Sequence, residues 1–213
     1  MMLTVWCMNT NDHAPHEEVR TLRRQVRKHL SEKHQFVCIT EADILSVICM
    51  KPINDLPGWW GKTNLFSHIS SERNLWLDLD VTIHGSLDGL VQPLSKSDIR
   101  IGLNWAQSGH GGCQSSMMYW EGDSARVIYD EFDPAIAHWP PINKPGVLWG
   151  DQEHATALRD AGKLSCEYFS STDMVSYKYH CRNGLPEGAK VVVFHGKPDP
   201  GDVEDDWVKA ARA

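Results

Sequence analysis

The run Leu75-Trp76-Leu77-Asp78-Leu79-Asp80-Val81 holds the residues best suited to chemistry in this sequence. Two carboxylates spaced by two in an otherwise apolar strand project to the same face. Like charges that close force one group to take up a proton unless a cation neutralises them, and hard oxygen donors suit Mg2+ or Mn2+. A divalent ion carrying a diphosphate meets both demands. The competing reading ends the strand early and leaves both aspartates solvated in a loop, with His84-Gly85 as the turn beyond.

Further candidates are spread along the chain. His195 follows three valines and Phe194 and precedes Gly196, so its ring can stand at a strand's carboxyl end, where ligands bind in open α/β sheets. The alternative is a histidine that only caps the strand. Asp151 and Gln152 open a helix, where Asp151 suits an N-cap. Lys62 sits beside Trp59, Trp60 and Gly61, and a solvated lysine is its plain alternative. The loop Asn9-Thr10-Asn11-Asp12 follows a strand, where sites collect. The tryptophans number nine, and Trp105, Trp139 and Trp149, near turns and prolines, are the ones placed to present a face at a cleft instead of filling a core.

The elements that must position these groups alternate between strand and helix periods. Leu3–Met8 reads as a strand, and Pro15 opens a helix whose Val19, Leu22, Val26 and Leu30 share one face. Its acidic first turn (Glu17, Glu18) and basic last turn (Arg27, Lys28, His29) suit the helix dipole. Gln35–Ile39 is the next strand, completing a βαβ unit with a parallel pair. Apolar runs follow at Ile44–Met50 and Leu75–Leu79, with Pro52 and Pro57-Gly58 between them. Later strands are expected at Ile101–Trp105, Ser115–Trp120 and Val191–His195, and helices at Asp123–Phe132, Asp151–Ala161 and Asp205–Ala211. Pro134, Pro140, Pro141 and Pro145 mark an irregular connection. No repeat or linker interrupts the chain, so residues 1–213 are expected to form one α/β domain with a mixed, mainly parallel central sheet.

Composition narrows the function. The 213 residues carry 21 Lys plus Arg against 28 Asp plus Glu, a formal charge of -7 that repels polyanions and argues against a nucleic-acid partner. Arg20, Arg23, Arg24, Arg27, Lys28 and Lys33 form a basic row, which a solvated helix face also explains. The six cysteines include no C-x-x-C pair, so zinc-ribbon and thioredoxin chemistry find no support. Met1–Cys7 has neither basic residues nor an apolar stretch of signal or spanning length, and the expected location is cytoplasmic, with no transmembrane segment.

In this setting Trp76–Leu90 resembles the Asp-x-Asp segment of family-eight-type glycosyltransferases, which include glycogenin and bacterial sugar transferases. Four more segments agree in order: Met8–Asp12, Gly61-Lys62, Gly150-Asp151-Gln152 and Phe194-His195-Gly196-Lys197-Pro198. The nearest likeness is to short, uncharacterised bacterial or phage-type members. The resemblance implies a GT-A fold and retaining transfer of a hexose from a UDP-sugar to a saccharide or other hydroxyl acceptor. It implies Asp78, Asp80 and His195 as ligands of Mn2+ or Mg2+, and Thr10 and Asn11 as contacts to the uridine. Lys62 would meet the donor's sugar or phosphate, Gly196 would admit the diphosphate and Lys197 would contact it. Asp151 would bind sugar or acceptor hydroxyls, and Gln152 would face positive charge developing on the ring. Attack from the leaving-group side is the expected route, over a covalent glycosyl enzyme.

Two positions depart from the family pattern. Gln114 stands where relatives carry Asn, and Asp199-Pro200-Gly201 where many carry a second basic residue and an aromatic. These departures admit a nucleotide-sugar binding protein without turnover, and the basic row admits a transferase acting on a DNA base. Ser176-Tyr177-Lys178 is one further segment that resembles close relatives, in a structural or acceptor-facing role.

Overall fold

The computed structural model describes residues 2–11, 13–53, 56, 58–68, 72–105, 112–136 and 148–213. Asp12, Trp139, Pro57, Pro140, Pro141 and Pro145 lie outside the described residues.

The opening follows the expected βαβ unit. Strand β1 (Leu3–Met8) leads to helix α1 (His16–His29) and strand β2 (His34–Ile39), and β1 and β2 pair in parallel with Cys7 opposite Cys38. Helix α1 buries Val19, Leu22 and Val26 on one face of the sheet, as its apolar spacing demands. The apolar run Ile44–Met50 yields only the short strand β3 (Ile48–Met50); Leu45 and Ile48 are exposed. A 3-10 turn at Gly58–Asn64 then runs into helix α2 (Leu65–His68).

Strand β4 (Arg73–Leu77) pairs in parallel with β1 and ends one residue before Asp78. This corrects the expectation of one continuous strand through Val81. Asp78, Leu79 and Asp80 form the turn between β4 and β5 (Val81–Ile83). The chain changes partners there: the Asp78 N–H donates to the Ser116 carbonyl, and β5 joins a different sheet.

Beyond β5 come β6 (Ile99–Leu103), β7 (Cys113–Glu121), α3 (Val127–Asp130), a 3-10 turn at Pro134–Ile136, and α4 (Asp151–Asp160). Strands β8 (Cys166–Tyr168) and β9 (Met174–Ser176), helix α5 (Tyr177–His180), β10 (Val191–Val193) and α6 (Asp206–Arg212) complete the chain. Helix α3 is much shorter than the expected Asp123–Phe132, because turns occupy Gly122–Arg126. β8, β9 and α5 are additions, too short to show a period in the sequence.

Seven strands form a sheet in the order β3-β2-β1-β4-β7-β6-β8, and β7 runs antiparallel to both its neighbours while every other pair is parallel. The second sheet, β5-β10-β9, has β10 antiparallel to β5 and parallel to β9. The fold is therefore α/β with a mixed, mainly parallel central sheet. β1 and β4 are buried almost throughout because both faces of a central strand are covered. Trp60, Trp76 and Trp120 are buried and serve the core. The six cysteines are free thiols, with Cys7 and Cys38 buried in the sheet as small hydrophobes. Among the described residues, no helix is long and apolar enough to cross a membrane.

Candidate functional site

The Asp78-Leu79-Asp80 turn lies where the two sheets meet, at the carboxyl end of β4. Asp78 is anchored from two sides: the Trp76 indole N–H donates to one carboxylate oxygen at 2.9 Å, and Lys62 Nζ donates to the other at 2.9 Å. Lys62 comes from the 3-10 turn before α2 and is 7% exposed, which excludes a solvated lysine. Its ammonium also donates to the Ser115 hydroxyl at 3.2 Å and stands 3.5 Å from an Asp151 oxygen. Burial works against the Lys62 charge, but Asp151 and Asp78 outweigh it and hold the ammonium protonated well above its ordinary range.

Asp151 is the first residue of α4 and not its cap; Gly150 occupies the cap position without a side-chain bond. The capping expectation is thereby corrected. A Cβ on Gly150 would lie 2.2 Å from Trp59 Nε1, and that indole donates to the Trp149 carbonyl at 2.9 Å, so the absence of a side chain lets α4 begin against Trp59. Asp151 Oδ2 is buried without a hydrogen bond. Burial raises its carboxyl, while the Lys62 ammonium pulls in the opposite direction. A cavity of about 10 Å³ beside Lys62, Ser115 and Asp151 has room for about one water. The Gln152 side chain, half-buried, has no partner among the described residues.

Asp80 completes the acidic group. Its Oδ1 is buried without a partner, although the residue as a whole is only partly covered. Burial and the adjacent Asp78 charge push its carboxyl up to about 8, against the pull of Lys62. A carboxylate oxygen shielded from water and lacking a donor fits a hard divalent cation, which would supply the missing charge. Asp78 still has lone pairs to offer, since each carboxylate oxygen can accept twice.

His195 arrives beside this turn because β10 pairs with β5 and the Phe194 N–H donates to the Asp80 carbonyl at 2.9 Å. Its Nε2 lies 2.7 Å from the Ser176 hydroxyl and receives the Trp105 indole N–H at 3.4 Å. An indole only donates, which makes Nε2 the unprotonated nitrogen. Burial, with the Lys178 charge, holds the imidazole below its ordinary pKa, so the ring is neutral as a metal ligand must be. The His195 side chain is held by residues of other elements, Ser176 on β9 and Trp105 beyond β6. No group of three His, Cys, Asp or Glu side chains among the described residues is drawn together as a metal cage. Were a cation held here, the unpartnered Asp80 Oδ1 could meet it directly, whereas His195 would have to exchange its present partners to join.

The remaining sequence candidates divide. Asn9 staples the loop after β1 by accepting from the Ala14 N–H at 3.0 Å and donating to the Ala14 carbonyl at 2.9 Å. Thr10 is half-buried, and Asn11 is exposed at φ 56, a left-handed conformation that Asn tolerates better than most residues. Gly196 has φ +66 and requires a residue without a Cβ. Lys197 points into solvent, paired with Asp199 and, at 3.3 Å, with Asp202. Gln114 does not face outward; its amide folds back on Ser116, donating to the hydroxyl at 2.6 Å and accepting from the N–H at 3.0 Å. Trp149 is exposed, while Trp105 is half-buried against His195. Of the basic row, Arg20 and Arg24 are tied to Glu17, and Arg23, Arg27 and Lys33 line a cleft of about 310 Å³ at the start of β2, the opposite strand end from the loop after β1.

Ser115 and Ser176 join the site without a signal in the sequence. Ser115 lies within β7 and Ser176 ends β9, and their bonds to Lys62 and His195 span 53 and 19 residues, a separation no local pattern announces.

No family model matches this sequence, and no curated protein matches it. Solved structures do. The glycosyltransferase GlyE of Streptococcus pneumoniae superposes with a TM-score of 0.69 at 12% identity, covering 92% of this chain and 56% of GlyE, so the chain spans little more than half of that protein's length. An active-site mutant of LgtC gives 0.66 at 12% identity over 97% of this chain and 93% of that one. Mouse xyloside xylosyltransferase 1 gives 0.61 at 12% identity over 92% and 98%. With the mixed seven-stranded sheet, these likenesses show that the chain has the GT-A fold.

Proposed function

We propose that this protein is a metal-dependent, retaining glycosyltransferase of the family-eight type, moving a hexose from a UDP-sugar to a hydroxyl acceptor. The observation that carries the reading is the acidic cluster at the carboxyl end of β4: Asp78 and Asp151 share the buried Lys62, while Asp80 Oδ1 has no partner. Such a group, short of positive charge, suits a cation and its bound diphosphate. The GT-A fold supports the reading, and LgtC, of the same fold, has been solved with donor and acceptor sugar analogues.

Asp80, with Asp78 and His195, would hold Mn2+ or Mg2+. Bound there, the ion would stabilise negative charge growing on the departing diphosphate. The chain's own groups do the rest. Lys62 fixes the Asp78 and Asp151 carboxylates and cancels part of their repulsion. The Asp151 Oδ2 atom, buried 3.5 Å from Lys62 without a hydrogen bond, would accept from a sugar hydroxyl, since no backbone cap consumes it. The unpartnered amide of Gln152 offers its carbonyl dipole to positive charge on the sugar ring. Thr10 and Asn11, on the loop after β1, would contact the nucleoside. Among the described residues no side chain stands out as a covalent nucleophile, which favours attack from the leaving-group face.

Proton NMR of UDP-hexoses incubated with the protein tests this reading. Mn2+-dependent release of UDP, with the free hexose appearing first in the donor's α configuration, is the expected result. First appearance of the β anomer contradicts retention. Binding of the donor without release of sugar, alone or with acceptors, would select a nucleotide-sugar binding protein.

A further inference from the structure

Three lysines surround the candidate site, and they differ in what neutralises them. Lys62 is shared by Asp78 and Asp151. Lys197, the basic residue of the His-Gly-Lys-Pro segment, has a side chain 76% exposed and is held by Asp199 and Asp202. Lys178 is half-buried, and its ammonium donates to the neutral carbonyl of His195 at 2.7 Å. Among the described residues it has no carboxylate partner. An ammonium has three protons to donate, so this bond leaves capacity for two more and the charge uncompensated. Partial burial makes such a charge costly until an anion meets it.

Its position is fixed by the small sheet. Ser176 on β9 lies opposite Val193 on β10, its hydroxyl touches His195 Nε2, and the Tyr179 ring stacks on the His195 ring at 5.6 Å. Lys178 is therefore carried against the chain that bears His195 and Gly196. A Cβ added to Gly196 would meet Lys178 Nζ at 3.5 Å, so the missing side chain leaves the backbone open on the side where the ammonium stands.

We propose that Lys178, and not Lys197, is the principal cation that contacts the donor's diphosphate. The inference rests on the donor reading above. It accounts for the departure at Asp199: that carboxylate ties Lys197 into a solvent-facing pair, and the cationic function passes to a lysine on a different element.

The test is equilibrium binding of UDP and of uridine, in Mn2+, to wild type, Lys178→Gln, Lys178→Arg and Lys197→Ala. A charge-assisted hydrogen bond to phosphate predicts a loss of about tenfold or more in UDP affinity for Lys178→Gln, whose amide can keep the bond to the His195 carbonyl. Uridine affinity stays within about twofold. Lys178→Arg restores most of the UDP affinity, and Lys197→Ala costs less than Lys178→Gln. If Lys178→Gln fails to fold, Lys178→Met gives the same comparison. UDP affinity unchanged in the charge-removed variant overturns the proposal while the donor reading stands, and so does a parallel fall in uridine affinity. A wild type that binds no UDP overturns both.

Discussion

Lys62→Met is expected to destabilise the protein by about 3–5 kcal/mol, because removing one partner of a buried ion pair strands the other charge. Here two carboxylates lose their shared counter-charge, Asp78 and the 7%-exposed Asp151. The side chain lost is of similar length, so packing changes contribute little. For a chain of this size, the melting temperature should fall by roughly 10 °C. Adding Asp151→Asn to Lys62→Met should recover a large part of the loss, since the neutral amide needs no counter-charge. Thermal and urea unfolding of the four proteins in the cycle measure this directly. A single variant within about 1 kcal/mol of wild type would mean that the cluster is not held by this lysine.

Asp80→Asn should act in the other direction, and its effect should depend on pH. With its carboxyl raised to about 8 in the native state against 3.8 unperturbed, the native protein holds a proton that the unfolded chain has lost throughout that window. Stability therefore falls as pH rises from about 4 to 8, and below that range the contribution is fully present. The amide has no proton to lose. In the presence of a chelator, the stability of Asp80→Asn relative to wild type should rise across this range, by about 3 kcal/mol at its upper end once solvent access to the half-buried side chain is discounted. The difference between the two proteins isolates Asp80 from His195, whose lowered pKa works oppositely and costs stability as pH falls below its ordinary value. A difference that is flat between pH 4 and 8 would remove the electrostatic basis of the candidate cation site.

Both effects come from contacts that the linear pattern conceals, which explains what could be read from the sequence. The β1-α1-β2 unit was legible because each element holds one period long enough to detect and α1 carries matching terminal charges. The end of β4 was not. Leu79 and Val81 continue the apolar alternation, yet the chain turns at Asp78, where its N–H finds Ser116 and its carboxylate finds Lys62 and Trp76. The solvated-loop alternative identified the turn but not its burial. The residues with expected roles were legible mainly by family resemblance, and the structure places Asp78, Asp80, Lys62 and Asp151 together. What the resemblance could not convey is which cations are already occupied. Lys197 and Asp199 are two residues apart and could have been paired from the sequence, whereas Lys178 reaches His195 across 17 residues through a three-residue strand with no readable period.

The donor site itself is tested most directly by thermal stabilisation with UDP, with and without Mn2+, on wild type and on the Asp80→Ala, His195→Ala double variant. Ligand that binds only the native state raises its stability by mass action, about 2.7 kcal/mol at a hundredfold excess over Kd. The expected result is a shift of several degrees that needs both UDP and Mn2+ and disappears in the folded double variant. A folded wild type that shows no shift with UDP or any other nucleoside diphosphate, whether or not a divalent ion is present, would contradict the assignment of this cleft to a nucleotide-sugar donor.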